Sequence, residues 1–428
     1  MKIIWLGMLL EIIILAVLQP FAEDFDGIAI IAVLCHVLYS TLILLSHQYK
    51  FKFLFLFAFL VRVVFMFLDL YVFRLPHSGG DSEFFFIDAV LYSQDLFNMP
   101  SGELYSKVMA VLFYIIGPQR PIGQYVNVLL GLSVVFIIYR ILIILEVNSK
   151  ITRLVVTIAA FFPTSLFMSA IFLREAFPTF FIAASVFYFI KWFQSGRIMD
   201  MLLSFLSVGL ASTFHAGVIG VVFGYAFVFI FYKLNSNSYK FTLKSLMIFL
   251  LICMIFFVGY TSFSDVLLKK LNHVGEIGDI YSAANYREGG SAYLENLTIT
   301  NPLELTLYGP IKCFFFLTMP LPIYWRGLMD ILTFIFDSSL YLGAIVYFVI
   351  YRKKFNKRKK LVIGLLLALL GSVLIFGVGV TNAGTAVRHR QKLVPIVLVT
   401  LAVMIDGVSS TIQRRPIPES RSSNRARR

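Results

Sequence analysis

The sequence predicts an all-α, polytopic integral membrane protein of about twelve transmembrane helices with one further re-entrant or interfacial segment. Three observations predict it. Hydrophobic residues make up 59% of the 428-residue chain and charged residues 14%, with a mean hydropathy of +0.86, which leaves too little polar surface for a soluble globule. The apolar residues are gathered into runs near the roughly 20 residues that cross a bilayer as helix. Lysine and arginine recur between alternate runs, as the positive-inside rule requires.

The runs cover 3–19, 27–46, 53–73, 123–144, 154–172, 176–192, 200–214, 216–233, 243–261, 327–351, 361–381 and 391–408. The first has the length of a signal peptide, but no A-x-A-like small-residue site follows it, so it is read as a span. Segment 309–324 is apolar yet carries Pro310, Pro320 and Pro322, and at about 1.5 Å per residue it reaches about 24 Å of a roughly 30 Å core. It is the re-entrant or interfacial segment. Residues 1–408 are expected to form a single transmembrane domain with outer loops 74–122 and 262–308, and 409–428 a basic, disordered tail.

The run Arg352, Lys353, Lys354, Lys357, Arg358, Lys359, Lys360 places its loop in the cytoplasm. Counting spans away from it brings Lys50 and Lys52, Lys150 and Arg153, Lys191 and Arg197, Lys233 and Lys240, and the arginine-rich tail to the same side, with both termini cytoplasmic. The net charge of +14 thus meets anionic membrane lipid; without a folded basic domain, nucleic acid is not an expected partner. Cys35, Cys253 and Cys313 lie in apolar surroundings without CxxC or Cys/His spacing, so buried thiols and no disulfide framework are expected.

The remaining charges emerge on the opposite face. Gly79 and Gly80 precede Asp81-Ser82-Glu83, a carboxylate pair able to share a divalent cation or to serve as general base to an acceptor hydroxyl; equally, Asp81 could simply N-cap a helix from about 82. Leu104–Ile116 is apolar, too short to span, and reads as a helix lying in the interface. Arg174 and Glu175 form an ion pair in a short turn bracketed by Pro163 and Pro178, which bend the adjoining helices toward a cavity or leave a snorkelling arginine neutralised by its neighbour. In Arg388-His389-Arg390-Gln391-Lys392, ahead of Pro395, two arginines and a lysine oppose the charge trend, and the arginine forks match the geometry of a phosphate, either of a lipid-linked substrate or of phospholipid headgroups. His215 ends a helix on this face. The loop 262–308 mixes Asp279, Tyr281, Tyr286, Arg287, Glu288 and Tyr293, suited to a sugar or to any outer loop.

These residues together resemble the GT-C superfamily of membrane glycosyltransferases, in the style of bacterial members that use polyprenyl-phosphate sugars. The likeness rests on the degenerate Asp-x-Asp-type motif at Asp81-Ser82-Glu83, the interfacial helix after it, and the late arginine-rich turn. It implies Asp81, assisted by Glu83, as base or as ligand of a divalent cation (Mg or Mn). It implies Arg388 and Arg390, with Arg174, Glu175, His215 and His389 alongside, as the site for a polyprenyl-linked sugar or oligosaccharide. The acidic motif follows the third span here, whereas the family usually carries it after the first. Span number, phenylalanine-rich helices and outer-face arginines are similar also to O-antigen or capsule repeat-unit polymerases, which need no metal. A lipid-oligosaccharide flippase or other transporter is the third reading. The resemblance implies cell-envelope polysaccharide assembly in a bacterial inner membrane.

Overall fold

Runs of Leu, Ile, Val and Phe can satisfy their backbone polar groups in an apolar medium only as helix or closed barrel, and this chain is about 78% helical. The structure, a computed structural model, describes residues 25–47, 50–234, 236–262, 285, 290–355 and 358–412. In chain order the helices are α1 (Phe25–Ser46), α2 (Lys52–Tyr71), α3 (Asp81–Gln94), α4 (Leu104–Ile116), α5 (Arg120–Ile144), α6 (Ser149–Phe161), α7 (Pro163–Ala170), α8 (Ala176–Ser195) and α9 (Ile198–Phe214). A 3-10 turn (Ala216–Gly220) leads into α10 (Val221–Phe231), followed by strands β1 (Tyr232–Lys233) and β2 (Ser238–Tyr239) of an antiparallel hairpin. Then come α11 (Leu243–Ser262), α12 (Pro302–Thr318), α13 (Leu328–Thr333), a π-turn (Phe334–Ser338), α14 (Ser339–Tyr351), α15 (Lys359–Gly379), α16 (Ala383–Gln391) and α17 (Val394–Ile412).

Among the described residues five helices are long and apolar enough to cross a membrane: α2, α5, α8, the continuous unit Leu328–Tyr351 and α15. Two bent pairs, α6–α7 and α16–α17, raise the number to seven if each is one broken span. The expected twelve are therefore not all shown. The helices over Ala32–Leu45, Ile198–Phe214, Ala216–Phe231 and Leu243–Met254 are shorter, and the run 3–19 lies outside the described residues. The apolar segment expected from 309 starts earlier, as α12, with Asn301 capping Glu304 N.

Both bends have local causes. Pro163 removes an N–H from the helical ladder and holds Phe162 extended, so α7 turns 45° from α6. Pro178 lies in the first turn of α8, where its missing N–H costs nothing. The 65° bend between α16 and α17 falls at Lys392 and Leu393, whose N–H groups bond back three residues to His389 and Arg390 in 3-10 fashion. Tight packing follows from glycine at one crossing: a Cβ on Gly220 or Gly371 would lie 2.3 or 2.0 Å from the other's backbone.

The core sits around α17, whose residues from Val394 to Val399 are all buried and which packs against α5, α6, α8, α14 and α15. Cys313 is buried within this packing, but Cys35, expected to be buried, is exposed on α1. At one end of the bundle Lys50 reaches Ser149 (2.8 Å), Gln194 reaches the carbonyl of Ile144 (3.0 Å), and Arg358 joins the carbonyl of Leu145 (2.7 Å) to Asp406. The loops that share the predicted cytoplasmic lysines and arginines are thus neighbours. The residues of the next section meet at the other end.

Candidate active site

Asn127 of α5 fixes the turn between α7 and α8. Its Nδ2 donates to the carbonyls of Ile171 (2.8 Å), which also accepts from Leu173 N, and of Leu173 (2.9 Å), in a turn whose residues Ile171, Phe172 and Leu173 are fully buried. Arg174 and Glu175 leave this turn in different directions. Arg174 meets Glu103, at the start of α4, at 2.6 Å and lies over the Phe85 ring. Glu175 heads α8 with its carboxylate turned inward. The expected pairing of Arg174 with Glu175 is not what forms.

The partners of Glu175 come from α16. Asn382 caps this helix through Thr385 N (3.2 Å), and Tyr293 clamps the approach to it, its N–H on Thr381 and its hydroxyl on Val380. Tyr293 is therefore structural rather than a free sugar platform. Arg388 spreads its guanidinium between two carboxylates, Nη1 to Asp81 Oδ2 (2.7 Å) and Nη2 to Glu175 Oε1 (3.1 Å). One turn on, Lys392 Nζ stands 3.6 Å from the same Glu175 oxygen and donates to the carbonyl of Arg388 (3.0 Å). Exposure falls steeply inward: the side chain of Asp81 is 51% exposed, that of Arg388 21%, that of Glu175 1%, and that of Lys392 0%. Asp81 is thus the partner that a ligand can replace. Burial alone raises a carboxyl's pKa, but Arg388, Lys392 and Arg174 together hold Glu175 below the usual carboxylate range.

Two histidines close the inner side. The rings of His215 and His389 stand edge to face at 4.3 Å, both against Phe376. His215 follows the last turn of α9, its N–H on the carbonyl of Ala211. Burial, followed by the charge of Lys392, lowers its pKa well below the usual histidine value. The Nδ1 atoms of both histidines, Glu175 Oε2 and Arg388 Nε are buried without a hydrogen-bond partner. Such unused polar capacity, concentrated in one place, is what a polar ligand would complete.

Two expected pairs are split by the same geometry. Residues two apart on a helix point roughly 200° apart, and both Asp81/Glu83 on α3 and Arg388/Arg390 on α16 have that spacing. Glu83 therefore turns from the cluster to Arg74 (2.8 Å) and Arg120 (2.7 Å). Each carboxylate of the pair is neutralised by arginine, and among the described residues no group of three His, Cys, Asp or Glu side chains could hold a metal ion. Asp81 and Glu83 thus do not converge as a pair: Asp81 faces Arg388 and Glu83 faces Arg74 and Arg120. Asp81 is also not the N-cap: Gly80 holds that position, and Asp81 is the first residue of α3. Arg390 points away into the core, pairing with Asp337 and donating to the carbonyl of Phe316 (3.1 Å) and to Ser338 Oγ (2.9 Å). The π-turn between α13 and α14 presents Asp337 and Ser338 to it. Arg390 is thus held in the core by Asp337, Phe316 and Ser338, and the structure does not bring it together with Arg388.

Glu103, Arg120 and Asp337 enter as residues that sequence reasoning did not place in the site, and no local pattern signalled them; Lys392, grouped with the arginines from the sequence, stands one turn from Arg388 and faces the same carboxylate. Asp279, Tyr281, Tyr286, Arg287 and Glu288 lie outside the described residues. No protein-family model matches the chain, and no curated protein or solved structure is significantly similar to it.

Proposed function

We propose that the protein is an integral membrane glycosyltransferase, transferring a sugar from a polyprenyl-(pyro)phosphate-linked donor to an acceptor hydroxyl on the outer face, in cell-envelope glycan synthesis. The observation that carries this reading is Arg388, held between a half-exposed and a buried carboxylate with Lys392 behind it. A donor phosphate takes the place of the Asp81 carboxylate on Arg388 Nη1. With Asp81 displaced, two cations face one buried carboxylate, and the charge developing on the departing phosphate is stabilised by groups already in position. The freed Asp81 accepts the acceptor's proton. The acceptor oxygen bonds to the anomeric carbon as the bond from that carbon to the phosphate oxygen breaks, and the polyprenyl (pyro)phosphate leaves with the electron pair. Glu175 holds Arg388 and Lys392 in place.

A second reading is favoured by the arginine-neutralised carboxylates: repeat-unit polymerisation, in which a lipid-linked oligosaccharide is both donor and acceptor and no metal is needed. Glycan profiling of cells carrying Asp81→Ala or Arg388→Ala, with membrane expression checked, separates the readings. Loss of product in both supports the carboxylate-dependent transferase. Loss in Arg388→Ala alone, with long chains collapsing to single repeat units, supports the polymerase. Unchanged product in both overturns either assignment.

A further inference from the structure

Arg62 stands near the middle of α2 and is 1% exposed. Its Nε donates to Ser169 Oγ (3.2 Å), and its Nη1 to the carbonyls of Ala58 (3.0 Å) and Ala160 (2.8 Å). All three acceptors are neutral, and among the described residues no carboxylate pairs with it and nothing accepts from Nη2. The chain treats its other fully buried arginine differently, setting Arg390 against Asp337. A guanidinium in an apolar interior keeps its whole charge when only dipoles surround it, and that arrangement is costly without an anion nearby.

Arg62 lines an internal cavity of about 20 Å³, with Ser165, Ser169, Thr179 and Gln391 as its other polar neighbours. One water needs roughly 10–15 Å³ by this measure, so a single small particle fits. The lining is rich in donors. Gln391 Oε1 shares the Thr179 hydroxyl (2.9 Å) with the carbonyl of Glu175 (2.7 Å), and Gln391 Nε2 lies 3.4 Å from Ser165 Oγ. Ser165 accepts there and keeps its own O–H to give. Ser169 spends its proton on the carbonyl of Leu166 (3.0 Å) and a lone pair on Arg62. What remains to face the cavity is Arg62 Nη2, the Ser165 hydroxyl and the second N–H of Gln391, three donors and a positive charge.

We propose that this cavity binds one small monovalent inorganic anion of the halide class, chloride being the abundant one. The anion neutralises Arg62 and ties α2 and α7 to Gln391, the last residue of the helix that carries Arg388. The site is separate from the phosphate cluster and does not depend on the reading given there.

The test is thermal unfolding of the purified full-length protein in detergent, with chloride titrated against gluconate at constant ionic strength. The wild type is expected to show a saturable rise in midpoint with chloride, Arg62→Met none, and Ser165→Ala a half-effect concentration raised by about tenfold or more, the loss of one charge-assisted hydrogen bond. Bromide soaked into crystals of the wild type is expected to give an anomalous peak beside Arg62. A midpoint indifferent to chloride in the wild type, or a chloride response of the same affinity in Ser165→Ala and Arg62→Met, overturns the proposal and leaves a water in the cavity. Should Arg62→Met not fold, Ser165→Ala and the bromide peak decide alone.

Discussion

Arg388 Nη1 and Asp81 Oδ2 lie 2.7 Å apart although 307 positions of chain separate them. The contact closes a cluster assembled from the α3 N-terminus, the turn before α8 and the helix before α17, and it joins the most exposed member of that cluster to its central cation.

Arg388→Ala is expected to lower transfer by about 10²–10³-fold, the cost of removing one preorganised donor to developing charge. Arg388→Lys keeps the charge but loses the two-pronged fork that serves both ligands, so it should recover only part of the rate. Initial rates with a short-chain lipid-linked donor in detergent check both; wild-type rates in Arg388→Ala would remove Arg388 from the chemistry.

Asp81→Asn separates binding from catalysis. In the proposed mechanism Asp81 as base contributes about 10²–10⁴-fold to kcat, and as occupant of Arg388 it competes with the donor phosphate. The variant is expected to show a depressed kcat together with a lower KM for the lipid donor. A raised KM with unchanged kcat would contradict displacement of Asp81 by the donor.

Arg390→Ala leaves Asp337 buried and unpaired, which costs about 3–5 kcal/mol, whereas the double variant Arg390→Met, Asp337→Leu restores an apolar fit and should regain most of that loss. Thermal unfolding in detergent measures both. Equal destabilisation in the single and double variants would show that the ion pair is not what Arg390 contributes.

The depressed pKa of His215 makes stability pH-dependent with a definite sign. The unfolded chain binds a proton below the ordinary value of 6.5, whereas the folded site resists it, so this contribution is whole above that value and is lost as pH falls below it. Glu175, held below its ordinary 4.5, loses its contribution only at still lower pH. Unfolding midpoints are therefore expected to decline between pH 6.5 and 5 in the wild type and more gently in His215→Gln. The same decline in both would assign it elsewhere.

Much of the fold was legible because apolar runs and proline positions act locally. The helix expected at Leu104–Ile116 occurs with those bounds, and Pro163 bends the chain where its chemistry requires. The convergence of Asp81, Glu175, Arg388, His215 and His389 was visible only as a shared side of the membrane. Which charge meets which was not. Read as loops, Asp81/Glu83 and Arg388/Arg390 looked like cooperating pairs; as helices they face opposite ways, one member to the cluster and the other to a structural partner. Lys392 was legible as an outer-face cation, but its pairing with Glu175 was not, since that reach depends on the chain turning on past Gln391. The acid partners of Arg174 and Arg390 lie 71 and 53 residues away, a relation no local pattern encodes.

The position of α17 bears on how the protein is made. The helix that α5, α6, α8, α14 and α15 pack around is synthesised after all of them, so none of the five can complete its packing until it arrives. With it comes α16, and with α16 come Arg388, His389 and Lys392. Completion of the bundle and assembly of the cluster therefore coincide, and a nascent chain halted at residue 380 already carries most of the protein's hydrophobic mass while lacking both cations that pair with Glu175, Arg388 and Lys392.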